Sequence, residues 1–168
     1  MITPAHAQAM ARYNRWQNRS LYGTADRLPD VERKRARGAF FESIHGTLSH
    51  ILFGDQIWLH RFTGTTPPPV AKSIAESAMA IPEWAELKVA RIAFDEVIVA
   101  WADNLAAADL EGDLTWYSGA RGENITRPRW LLITHMFNHQ THHRGQVHCL
   151  LTQNGLRMDD TDIPFGPV

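Results

Sequence analysis

Between Thr126 and Gly155 the chain reads as one long helix with imidazoles on its inward stripe. Thr126 is placed to cap it, Pro128 suits its first turn, and Asn154-Gly155 ends it after Gln153. Leu132, Met136, His139, His143, Val147 and Leu150 recur at steps of three and four, which puts them on one face. Three more long segments accompany it. The first runs from about Pro4 to Leu28, with Thr3 as its cap and Met10, Tyr13, Gln17, Leu21 and Leu28 at helical spacing. The second, from about Gly38 to Arg61, is apolar nearly all round and is expected to be buried. A breaker of three consecutive prolines follows, with room for a short helix over residues 71–80. The third long helix starts near Pro82 and continues to about Ala107, carrying Leu87, Ala90, Phe94, Val97 and Trp101. Then helical period is lost: Leu114, Trp116 and Tyr117, and Asn124 to Thr126, read as two short strands turned by Gly119 and Gly122. Four amphipathic helices imply an all-α four-helix bundle, one domain over residues 1–168, with a short β-hairpin between helices 3 and 4. The tail Leu156–Val168 is expected to lie extended across the helices. The long connection between helices 2 and 3 leaves the order of crossing open.

Bulk properties exclude several function classes. A formal net charge of −1 argues against a surface built for nucleic acid. The densest basic run, Arg33-Lys34-Arg35 with Arg37, follows Asp30 and Glu32 and reads as a solvated loop or helix start. No apolar stretch approaches the roughly 20 residues of a membrane span, and the N-terminus lacks the order of a secretion signal. A single cysteine, Cys149, excludes an internal disulfide framework and fits a reducing cytoplasm.

The chemistry lies in the histidines. Four of the nine fall between His135 and His143. His139 and His143, one helical turn apart, share the inward stripe, His135 lies at its edge and His142 further out. Buried imidazoles need partners, and a divalent cation satisfies two acceptors at once. Core histidines bonded to carboxylates or backbone, or a surface histidine patch, would be the plainer accounts. Two ligands are too few for a tight site, so a third should come from a facing helix. The second segment offers His45, His50 and His60. Gly46 and Gly54, four residues to either side of His50, clear its face and favour it. Asp55 falls on the otherwise apolar stripe of Leu48, Ile51, Trp58 and Phe62, and wants a partner such as a ligand's second ring nitrogen or Arg144. Gln146 is placed to bond a coordinated water or to pad the seam. Asn14 reads as a polar anchor of the first helix. Trp16, Trp58 and Trp101 read as core, and Cys149 as inert core.

Three blocks carry a resemblance to the DinB/YfiT-like family of small bacterial metalloproteins: Tyr13-Asn14-Arg15-Trp16-Gln17-Asn18; Ser43 to Leu52 with Asp55 and Trp58-Leu59; and Asn138-His139-Gln140-Thr141-His142-His143-Arg144-Gly145-Gln146. The resemblance covers nearly the whole chain. It implies an up-down-down-up four-helix bundle, a homodimer, and one divalent ion held by His50, His139 and His143. Zinc and nickel both suit imidazole, and iron or manganese would also serve. Three neutral ligands leave the ion its full charge and open positions, as in catalytic sites. Such an ion acidifies water to a pKa of about 7 in favourable cases and would ionise a thiol likewise. Hydrolysis and thiol transfer are the two reactions that follow. Some relatives use low-molecular-weight thiols, which tips the expectation toward a metal-dependent thiol transferase acting on a small molecule, with Asp55 and Gln146 as supporting residues. The alternative is a non-catalytic metal- or small-ligand-binding protein of stress responses.

Overall fold

The computed structural model describes residues 1–69 and 71–167. Among them are four long helices: α1 (Pro4–Ala25), α3 (Ile44–Thr63), α5 (Trp84–Asp103) and α6 (Arg129–Gln153). Two single-turn helices, α2 (Asp30–Arg33) and α4 (Ile74–Ser77), lie in the connections. Strands β1 (Asp113–Ser118) and β2 (Glu123–Pro128) form an antiparallel hairpin in which Trp116 faces Ile125. The chain is thus mostly helical with one small sheet. Helix α1 packs on α5 and α6, and α3 packs on α6 and α5.

Several boundaries differ from the sequence reading. Thr3 caps α1 as expected, its side chain accepting from the His6 N–H, but the helix ends at Ala25 rather than Leu28. Helix α3 begins six residues later than the apolar run suggests. Ser43 caps it by accepting from the Gly46 N–H, and Phe40-Phe41 belong to the preceding loop. Residues 71–80 yield one helical turn. The third long helix covers Trp84–Asp103, short of the expected bounds at both ends. Thr126 does not cap the last helix. It pairs with Thr115 in the hairpin, and α6 starts only after Pro128, which makes no side-chain cap. The Thr126 hydroxyl is engaged across the hairpin by that of Thr115 at 2.8 Å and so is not available as a cap.

Arg33 is not solvated. Its guanidinium donates to the Ala25 carbonyl at 3.2 Å and to that of Leu28, closing the C-terminal end of α1, and it lies over the Trp84 ring at 4.7 Å. Lys34 pairs with Asp30, and Arg35 and Arg37 pair with Glu32. The tail lies along α1, as expected: Tyr13 and Gln17 donate to the carbonyls of Thr161 and Asp160, and the Asp159 N–H donates to Ser20. Val168 lies outside the described residues.

Two apolar clusters make the core. One gathers Ala7, Ala11, Leu59, Ile98, Ala102, Ile133 and Phe137; the other gathers Leu21, Leu48, Leu52, Leu87, Val147 and Leu151. Helices α1 and α6 run from the first cluster to the second, and α3 and α5 from the second to the first. Between them in sequence, all four helices place buried polar residues: Asn14 and Asn18, Asp55, Arg91 and Asp95, Gln140 and Arg144. The helical core is therefore two apolar blocks separated by a polar layer.

Candidate metal centre

The three histidines singled out by the sequence converge. His50 comes from the first half of α3, where every residue from Ile44 to Asp55 is buried, and His139 and His143 come from consecutive turns of α6. One ring nitrogen from each lies within 4.8 Å of the others. The Nε2 atoms of His50 and His139 are 3.1 Å apart, and the His143 ring centroid is 4.9 Å from that of His50 and 4.5 Å from that of His139.

The far side of two rings is already occupied. His50 Nδ1 is 2.8 Å from Ser77 Oγ, whose own hydroxyl donates to the Ile74 carbonyl at 2.6 Å. Ser77 therefore accepts, and His50 carries its proton on Nδ1. His143 Nδ1 is 2.8 Å from Gln146 Oε1, an oxygen that can only accept. Both networks leave an Nε2 lone pair facing the cluster, the tautomer that metal-ligating histidines need. His139 Nδ1 is buried without a partner among the described residues. The donor set fits a small divalent cation: three neutral imidazoles with converging ring nitrogens.

The glycines around His50 act differently from expectation. A Cβ at Gly54 would sit 2.8 Å from His139 Cε1, so Gly54 makes room for a ligand ring. A Cβ at Gly46 would collide with the Phe41 carbonyl oxygen, so Gly46 admits the loop before α3. That loop turns through Glu42 at φ 62°, a left-handed conformation that costs a non-glycine residue about 1 kcal/mol or more. The turn lays the Phe41 ring on His50 at 3.7 Å between centroids, 19° from parallel.

Burial, reinforced by the neighbouring imidazoles, pushes His50 and His139 down to about 3. Burial also lowers His143, and the bond to Gln146 partly opposes it. All three are thus neutral near pH 7, ready to ligate.

The remaining histidines have other roles. His45 is fully buried with Nε2 2.9 Å from the Ile81 carbonyl, and His60 Nδ1 is 2.6 Å from that of Thr66. His135 meets the Trp58 ring edge-on at 5.2 Å, and His142 meets His143 at 4.9 Å.

Asp55 does not bond to the histidine cluster. It accepts from Arg91 and from Gln140, each at 2.5 Å, within the sealed polar layer. Arg144 makes no bond to it and donates instead to Thr141 at 3.3 Å. Asp95 accepts from Asn18 and pairs with Arg91. Burial raises the Asp55 pKa, with Arg91 opposing it; burial also disfavours the Arg91 charge, but Asp95 and Asp55 outweigh that and hold it ionised. Asn14, buried at the same level, has no hydrogen-bond partner among the described residues. Gln146 neither pads the seam nor stands alone; its Oε1 accepts from the His143 ring nitrogen. Cys149 is exposed, not core, and its sulfur accepts from Gln153 at 3.6 Å.

Sequence reasoning missed Ser77, Gln140, Arg91 and Phe41. Ser77 follows the prolines, where no period orients a side chain, and Gln140 and Arg91 look like surface residues until their partners are known. The histidines open onto a cavity of about 900 Å³ between α3, α6 and the hairpin, with Phe53, Ile57, Trp58 and Trp116 as its apolar wall. Trp58 belongs both to the core and to this wall.

A family model described as "DinB family" matches residues 1–167. The chain belongs to the DinB family. It is 28% identical over 151 residues to Protein DinB of Bacillus subtilis (strain 168), covering 89% of this chain and 87% of that protein. The fold is similar to a crystal structure of a DinB-like protein from Bacillus cereus ATCC 10987, with a TM-score of 0.51 at 21% identity over 86% of this chain and 90% of the other. No helix among the described residues is long and apolar enough to cross a membrane.

Proposed function

We propose that His50, His139 and His143 hold one divalent ion, zinc or nickel by ligand preference, and that the protein is a metal-dependent enzyme working on a small molecule in the adjoining cavity. The observation that carries this reading is the convergence of one ring nitrogen from each of the three histidines, two of whose rings, His50 and His143, are held from behind by Ser77 and Gln146. When bound, an ion with three neutral ligands keeps its charge and acidifies a water or thiol in an open position. The chain's own residues do the rest. Ser77 and Gln146 hold two imidazoles in the ligating tautomer. Phe41 covers one side of His50 and keeps water from it. The apolar wall holds the body of the substrate.

Thiol transfer suits the cavity better than hydrolysis. Among the described residues no Asp or Glu lines it, so a hydrolytic reaction would lack a carboxylate to steer water, whereas a thiol acidified at the ion needs no such base. The four long helices are read as an up-down-down-up bundle. The opposite runs of α1 and α6 against α3 and α5 between the two apolar clusters support this.

Elemental analysis of protein purified without an affinity metal is expected to find one ion per chain. A turnover screen pairing low-molecular-weight thiols with electrophiles is expected to give thiol-dependent product. Metal with no turnover would leave a binding protein, and an absence of metal under metal-replete growth would overturn the reading.

A further inference from the structure

Eleven residues beyond His50 on α3 lies Arg61, on nearly the same helical face and about 16 Å further along the axis. Its guanidinium lies over the Trp58 ring at 4.7 Å and the Trp116 ring at 5.7 Å, and it lines the same cavity as the histidines. A guanidinium stacked on aromatic rings keeps its in-plane donors free for a carboxylate or phosphate. Arg61 is half-buried and pairs with no carboxylate among the described residues; Arg27, Arg121, Arg127 and Arg157 also lack one but are exposed, and Arg129 and Arg144 donate instead to neutral oxygens of Asp109, Phe62 and Thr141. Burial lowers its pKa, as expected of a cation partly removed from water without an anion. Lys72 is the other cation at the cavity wall, and no acidic residue there competes for either. The cavity thus has two poles, a histidine cluster at one end and an unpaired guanidinium on an aromatic shelf at the other, joined by an apolar wall.

We propose that the ligand of this cavity is an elongated molecule with an anionic end group, held by Arg61 with help from Lys72, that lays its apolar body on Trp58 and Trp116 and presents its reacting end to the histidines. This rests on the metal reading above and adds the substrate's class to it. A molecule lacking the anion leaves the guanidinium desolvated and unpaired, which is the origin of selectivity.

The test uses the full-length protein loaded with cobalt(II), whose visible bands report the histidine site and whose thiolate charge-transfer band reports a ligand's sulfur arriving there. The probes are 11-mercaptoundecanoate and 11-mercaptoundecanol, equal in length and differing in the end group. The acid is expected to bind on the order of tenfold more tightly, the scale of one charge-assisted hydrogen bond. Arg61→Gln is expected to erase that preference while leaving alcohol affinity and the cobalt bands unchanged, and Arg61→Lys to keep part of it. Equal affinities in the unaltered protein, or a preference that survives Arg61→Gln, would overturn the proposal. Should cobalt bands fail to form, the histidine reading falls separately. Quenching of tryptophan fluorescence by decanoate against decanol then still decides whether Arg61 selects an anion.

Discussion

Two polar clusters lie side by side on α3 and α6, and they differ in whether the chain supplies their charges in pairs. On α6, His139 and His143 face the cavity, while the very next residues, Gln140 and Arg144, face the sealed layer. On α3, His50 and Asp55 divide in the same way. In the sealed layer Asp55 and Asp95 meet Arg91, and Asn18 and Gln140 supply further donors. At the histidines, three ring nitrogens converge within 4.8 Å of one another. A rotation of about 100° around one helix, a single residue, separates a network built on paired charges from a cluster of neutral imidazoles that suits a cation. Neither burial nor unpartnered polar atoms alone mark a functional site, since Asn14, Asn18 Oδ1 and Gln140 Oε1 in the sealed layer also lack partners among the described residues; what marks the histidines is that nitrogens of one kind converge beside an open cavity.

The largest effect is expected in the sealed layer. Asp55→Ala leaves Arg91 short of one counter-charge in a dry environment, and urea denaturation is expected to show a loss of about 3–5 kcal/mol. If that variant kept its stability and lost metal instead, the two clusters would be one site and the contrast would fail. His143→Ala is expected to do the reverse. Metal content should drop to background while the stability of chelator-stripped protein moves by only about 1 kcal/mol, and His142→Ala, one residue away, should keep its ion. Retained metal in His143→Ala would refute the ligand assignment.

Acid should act on the open cluster first. His50 and His139 are held at about 3 in the folded chain, well below the roughly 6.5 of an unfolded histidine, so the unfolded state binds more protons below pH 6.5. Stability of the metal-free protein should therefore be level above that pH and fall as pH drops from 6.5 toward 3, with a slope approaching two protons, about 2.7 kcal/mol per unit. A flat stability profile from pH 7 to 4 would mean the rings are solvated. The smallest effects belong to the residues behind the rings: Ser77→Ala and Gln146→Leu should each weaken metal affinity by about 10- to 100-fold in competition titrations. Asn18→Ala, in the sealed layer, should leave that affinity alone.

Much of this arrangement was legible in particular residues. The hairpin could be read from Leu114, Trp116 and Tyr117 against Asn124 to Thr126, because alternation and turn glycines are local signals. The inward histidine pair could be read from the steps of three and four on the last helix. The stripe itself was read slightly off centre. Ile133, Phe137, Gln140, Arg144 and Leu151 are buried too, because α6 packs on both α1 and α3 and so buries a wider face than one seam. His139 is consequently only part-buried, at the edge where the cavity opens. Phe40 and Phe41 extended the apolar run of α3 backward, and only the Ser43 cap shows where the helix begins.

By itself the sequence determined which residues share a helical face, since that depends on the fixed turn of a helix, and it narrowed the chemistry to imidazole. The flanking glycines and the family resemblance pointed to His50, but only the tertiary structure decided that Asp55 answers Arg91 rather than a histidine and that Arg61 has no carboxylate partner among the described residues. Those choices depend on the rotation and axial offset between helices, which are set by packing among side chains far apart in the chain and leave no periodic trace along it.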